Sequence, residues 1–238
     1  MGKEITISSK DGSFMGYLAT PAGGKGPGVV VVQDVFGLSD DIRQQADRLA
    51  TAGYVAFAPD LYSSRGIRCV VAALVSSRTG KGQGYVEIAA ARRFLAEQPG
   101  CNGRIGIIGF CMGGGFALMS APSGEYAAAS VNYGEVPADA QRVLAGSCPI
   151  VASYGGRDPM GAAPPRRLEE ALTALDVPHD VKVYPDAGHS FMSTKPAAVA
   201  PLARLVRLDY KPESAEDSWR RIVAFFGEHL RSGPSAAT

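Results

Sequence analysis

RIGIIGFCMGGGFALMS, residues 104–120, is the stretch on which the reading of this chain turns. It opens on Ile105-Gly106-Ile107-Ile108, the short apolar run of a strand buried on both faces. Gly109-Phe110-Cys111-Met112-Gly113 follows, and then a small-residue apolar run that reads as a helix. A strand that turns sharply into a helix holds its middle residue in a strained backbone conformation. Side chains two positions to either side would collide there, so Gly109 and Gly113 have none. The thiol of Cys111 then stands clear of the sheet at a helix N-terminus, where the helix dipole favours an anion. The amide N–H of Met112 points at the same spot and can stabilise an oxyanion. Taken alone, Gly-x-Cys-x-Gly also describes a buried packing cysteine, so the flanking chain has to decide.

Outward from this stretch, strands and helices alternate. Toward the N-terminus, Tyr85 to Glu97 reads as a helix and Tyr54 to Ala58 as a strand. Asp41 to Ala52 reads as an amphipathic helix capped by Ser39 or Asp40 and stopped by Gly53. GVVVVQ, residues 28–33, is a central strand buried on both faces. The chain up to Ala19 reads as a hairpin turning at Asp11-Gly12. Residues 63–84 are the least readable, with Cys69 to Leu74 as a short helix in a long connection. Toward the C-terminus, Tyr126 to Tyr133, Cys148 to Tyr154 and Val181 to Tyr184 read as strands and Pro164 to Leu175 as a helix. Ser214 to Arg231 reads as a last helix with Ser214 as its cap. The small polar stretch 232–238 reads as disordered. The alternation implies one α/β domain over 1–238, a mostly parallel central sheet with helices on both faces. Sites in such sheets lie at the carboxyl ends of the strands.

Composition removes several function classes. Over 238 residues, Lys+Arg is 24 and Asp+Glu 23, a formal net charge of +1, which offers nothing to nucleic acid or another polyanion. Hydrophobic residues are 46% and charged residues 20%, as in an ordinary globular chain. No run reaches transmembrane length, so no membrane partner is expected. Residues 1–10, MGKEITISSK, lack the apolar core of a signal peptide. Gly2 and Thr6 fit the loose myristoylation pattern, but an edge strand over Glu4 to Ser8 is the stronger reading. Four scattered cysteines and three histidines suggest neither a disulfide framework nor a metal site, and no cofactor is expected. A reducing, cytoplasmic setting fits this pattern. Oligomeric state has no signal.

Two further polar residues follow strands. Asp158 comes after the strand ending at Tyr154, in a turn-rich GGRDP; His189 comes after the strand ending at Tyr184. Alone, each is an ordinary loop residue. With Cys111 they stand in the chain order nucleophile, acid, base, which is that of the α/β-hydrolases. The chemistry asks for all three: an imidazole to take the thiol proton, and a carboxylate on its other nitrogen to fix the tautomer and stabilise the imidazolium. His179 lies at the wrong end of the sheet and His229 in a final helical turn, so both read as structural. Asp34 ends a buried strand, and Val35 follows it in the loop that supplies the second oxyanion N–H in an α/β-hydrolase fold. A carboxylate there either opposes ionisation of the thiol or holds it in a resting orientation.

QDVFGL (33–38), PDLY (59–62), RIGIIGFCMGGGFAL (104–118), GGRDP (155–159) and YPDAGHSF (184–191) together resemble the dienelactone hydrolase (carboxymethylenebutenolidase) family. The resemblance implies an α/β-hydrolase fold with a Cys111–His189–Asp158 triad. It also implies an oxyanion hole from the backbone N–H groups of Val35 and Met112. The implied reaction is hydrolysis of a small-molecule ester or lactone through a thioester acyl-enzyme. Phe36, Tyr62 and Phe191 are candidate pocket walls, each as well explained as core. Two positions depart from the family: Asp34 stands where Glu is typical, and Ser193 where an arginine binds the substrate carboxylate. Arg65, Arg68 or Arg78 could serve instead. The alternative is a non-catalytic hydrolase fold with a redox-sensitive or ligand-capturing Cys111. A cysteine peptidase or amidase is a third reading, with no sign of a peptide groove.

Overall fold

The protein is represented by a computed structural model that describes residues 2–9, 12–62, 68–159, 161–194 and 210–231. The expected hairpin residue Asp11, the candidate Arg65 and the expected disorder of 232–238 lie outside the described residues, as does the side chain of Arg68. Eight strands form one sheet: β1 (Lys3–Ser9), β2 (Gly12–Ala19), β3 (Gly26–Val32), β4 (Val55–Pro59), β5 (Cys101–Phe110), β6 (Ala128–Asn132), β7 (Ile150–Gly155) and β8 (His179–Tyr184). Their order is β1-β2-β4-β3-β5-β6-β7-β8. The pairs made by β2 are antiparallel and all others are parallel.

The helices are α1 (Asp40–Thr51), α2 (Arg68–Thr79), α3 (Gln83–Ala96), α4 (Met112–Ser120), α5 (Ala140–Val143), α6 (Ala163–Ala174) and α7 (Pro212–Phe226). They explain the unbroken valine run. Val30 and Val32 of β3 face a core shared with Leu95 of α3, Phe116 of α4 and Leu172 of α6. Val29 and Val31 face the opposite core, with Ile42 and Leu49 of α1 and Trp219 and Phe226 of α7. Period-two alternation persists, but both faces are apolar because both are covered. Among the described residues no helix is long and apolar enough to cross a membrane.

α1 starts as expected, with Ser39 Oγ accepting from Ile42 N at 3.5 Å and Asp40 and Asp41 in its first turn. Gly53, at φ +94°, follows its C-cap. Two expectations are corrected. α2 runs twelve residues, about twice the short helix expected over 69–74, because packing on α4 and α3 overrides its β-branched composition. α7 starts at Pro212, not after Ser214: a proline at the first helical position has its φ preset and no N–H to cap.

Candidate active site

The carboxyl ends of β3, β5, β6, β7 and β8 lie along one edge of the sheet. Asp34, Cys111, Tyr133, Asp158 and His189 stand just beyond them. Cys111 is the N-cap residue of α4 at φ 56° and ψ −116°, a conformation rare for a side chain larger than hydrogen. Its two glycines have physical cause. A Cβ on Gly109 would lie 1.8 Å from the carbonyl oxygen of Gly113, and one on Gly113 would lie 2.3 Å from that of Val32. The first turn of α4 therefore rests on the end of β3 with no room for a methyl group. Cys111 N donates to Asn132 O at 3.0 Å, which ties the turn to β6.

Asp158 and His189 are brought together by two loops that pack backbone against backbone. Gly156 N donates to Tyr184 O at 2.7 Å, and Arg157 N to Ala187 O at 2.9 Å. A Cβ on Gly155 would meet Gly188 O at 2.3 Å. The result is a relay: Asp158 Oδ2 lies 2.7 Å from His189 Nδ1, and His189 Nε2 lies 3.1 Å from Cys111 Sγ. The Asp158 side chain is 2% exposed and that of His189 13%. Burial opposes a charged ring, but the hydrogen bonds to Asp158 and Cys111 outweigh it and raise the pKa of His189 to about 9.

Asp34 Oδ1 accepts from Phe36 N at 2.8 Å, so this buried carboxylate shapes the loop that carries Val35. Met112 is buried, and Tyr62 OH lies 3.8 Å from its sulfur. Phe36 is 65% exposed, so it is not core; it stands on the loop surface beside Val35. Phe191 is corrected from candidate wall to core: it is fully buried between Tyr133 and Tyr184, with ring centroids 5.6 and 5.1 Å away. Ser190, at φ +60°, turns the chain so that the residue after it points inward. Ser193 is also fully buried, its Oγ 3.1 Å from Tyr133 OH. Arg78 pairs with Glu135.

His179 Nδ1 lies 2.7 Å from Val177 O at the start of β8, and the His229 ring packs on Phe225; neither reaches the site. Tyr133 is the residue that sequence reading missed. It is fully buried at φ +44°, and its ring stands edge-on to His189 at 5.1 Å. Burial raises its phenol pKa most; the Ser193 hydrogen bond opposes the rise, and the nearby carboxylates of Asp41 and Asp34 add to it. Its position just past β6 was the available signal. Among the described residues no three His, Cys, Asp or Glu side chains converge as metal ligands.

Cys111 at a sharp turn between strand and helix, with Asp158 and His189 after β7 and β8 of a mostly parallel sheet, is the layout of an α/β-hydrolase fold. The sequence profile of the dienelactone hydrolase family matches residues 14–230, and the chain belongs to that family. It is 31% identical over 246 residues to a putative carboxymethylenebutenolidase of Methylorubrum extorquens, covering 95% of this chain and 80% of that one. It is 31% identical over 223 residues to a carboxymethylenebutenolidase of Pseudomonas putida, covering 87% and 94%. A putative dienelactone hydrolase from Klebsiella pneumoniae superposes with a TM-score of 0.77 at 27% identity, covering 96% and 98%. The chain is thus a hydrolase of the carboxylic ester and lactone class.

Proposed function

We propose that this hydrolase works through Cys111 as nucleophile, His189 as base and Asp158 as the carboxylate that orients it. The observation that carries the reading is the unbroken relay from Asp158 Oδ2 through both ring nitrogens of His189 to Cys111 Sγ, at 2.7 and 3.1 Å. His189 Nε2 holds the proton given up by the thiol as sulfur attacks the carbonyl carbon. The carbonyl electron pair moves to oxygen, which accepts from the backbone N–H groups of Met112 and Val35, each such donor worth roughly 2.7–4 kcal/mol in comparable sites. Collapse of the tetrahedral species breaks the ester C–O bond, and His189 protonates the departing alcohol or enol. In a lactone the leaving oxygen stays tethered to the acyl group. Water, deprotonated by His189, then attacks the thioester; the C–S bond breaks, the acid leaves, and the proton on His189 is shared again with Cys111 Sγ.

Phe36, exposed beside Val35, and Tyr62, against Met112, are the pocket walls in this reading. A reducing, cytoplasmic compartment suits it, with Cys101, Cys111 and Cys148 all free thiols. The test is intact-protein mass spectrometry after brief exposure to a panel of activated esters and lactones. A transient acyl adduct on Cys111 is expected, with turnover abolished in Cys111→Ala and in His189→Ala. Turnover that survives Cys111→Ala overturns the nucleophile.

A further inference from the structure

β8 delivers His189, but the five residues after it decide where the ring sits. Ser193 N donates to Ser190 O at 2.9 Å and closes a turn, which other parts of the chain then grip. Lys211 N donates to Phe191 O at 3.0 Å, and Tyr133 OH meets Ser193 Oγ at 3.1 Å. The remaining grips come from α1. Gln45 Nε2 donates to Met192 O at 3.3 Å. Asp41 Oδ1 accepts from both Thr194 N and Thr194 Oγ1, at 2.8 and 3.0 Å. Asp41 and Gln45 are four residues apart and share one face of the helix. The same helix is the rigid continuation of the loop that carries Val35, joined to it through the Ser39 cap.

The other polar atom at the end of each of these side chains sharpens the point. Asp41 Oδ2 and Gln45 Oε1 are buried and have no hydrogen-bond partner among the described residues. A carboxylate oxygen buried without a partner is costly, and an apolar side chain there would avoid that cost. What an apolar side chain could not do is fix the Thr194 backbone at a set distance from α1.

We infer that Asp41, with Gln45 beside it, is a positioning residue for the reaction: through Thr194 and Met192, α1 holds the His189 turn in register with the Val35 amide. Base and oxyanion donor thereby keep their spacing about Cys111. The inference rests on the roles proposed above for Cys111 and His189.

The experiment is steady-state kinetics on an activated ester, alongside thermal unfolding, for wild type, Asp41→Ala, Asp41→Asn, Gln45→Met and His189→Ala. Asp41→Ala is expected to lower kcat about tenfold or more, as misplaced catalytic groups do, with KM within about twofold. Asp41→Asn keeps an oxygen that accepts both Thr194 bonds and is expected to recover most of the rate. Should Asp41→Ala not fold, Gln45→Met and Thr194→Val carry the test, each with a smaller loss confined to kcat. Unchanged kcat in folded Asp41→Ala, with His189→Ala inactive, sinks the inference alone. So does an Asp41→Asn as slow as Asp41→Ala. Full turnover in His189→Ala overturns the proposed base, and this inference with it.

Discussion

Cys111 and His189 face each other across 3.1 Å, yet the chain holds them by different means. Cys111 is set by backbone alone: Gly109 against Gly113, Gly113 against Val32, and a hydrogen bond from its own N–H to Asn132 O. The turn after His189 is set by groups from just past β6, from α1 and from the chain beyond residue 210, including pairs 147 and 153 residues apart in sequence. The elbow is a local solution that short sequence can encode. The histidine turn is a tertiary one, whose accuracy depends on many partners at once. The first should fail abruptly when a single atom is added, and the second by degrees.

The abrupt failure is the largest effect expected. Gly109→Ala places a methyl group 1.8 Å from a carbonyl oxygen that belongs to backbone and cannot swing away. A loss at or beyond the upper end of about 1–3 kcal/mol is expected in denaturant unfolding, together with loss of activity. A variant that melts like wild type breaks the contrast between the two regions.

Next comes the relay. Asp158→Asn keeps the shape but cannot favour a charged ring, and kcat should fall by as much as about 10⁴-fold. The same substitution should move His189 in a titration followed by NMR of the ring protons, which is tractable with three histidines in the chain. In wild type the midpoint is expected at about 9. A folded-state pKa raised above the ordinary 6.5 means that the charged ring stabilises the fold fully below about 6.5 and ceases to as pH rises through about 9. Asp158→Asn should return the midpoint toward 6.5; an unmoved midpoint would show that Asp158 is not the cause.

The smallest effect belongs to the graded side. Tyr133→Phe keeps the ring against His189 and removes only the hydroxyl beside Ser193. A stability loss of about 1 kcal/mol and a modest drop in kcat are expected, the size of one buried hydrogen bond. A loss as large as that of Asp158→Asn would mean that the phenol touches the chemistry directly.

The same contrast accounts for what sequence made legible. Cys111 and its glycines could be read because the constraint lies within five residues. Asp158 and His189 could be placed because each follows a β-strand in a parallel sheet and stands in the right order. Asp41 and Gln45 could not, since nothing near them in sequence announces the turn they hold; Tyr133 offered only its place just past a strand end. Phe191 could be read as wall or core alike, because its burial between Tyr133 and Tyr184 is set by tertiary packing. The helix after residue 67 reads too short from sequence alone, because the strand-like preference of its β-branched composition loses to packing against α4.

α1 begins on a serine hydroxyl, whereas α4 begins on a thiol that makes no capping bond. A good cap is worth about 1 kcal/mol, and α4 forgoes it, relying on burial along nearly its whole length. Its first amides therefore have no acceptor within the helix. On the reading proposed above, the oxygen of a reacting ester would supply that acceptor. The helix would then fray least, and exchange its first amide hydrogens most slowly, during the step in which the acyl group changes hands. On that same reading, the Met112 amide would be a hydrogen-bonding position of the fold that the substrate completes.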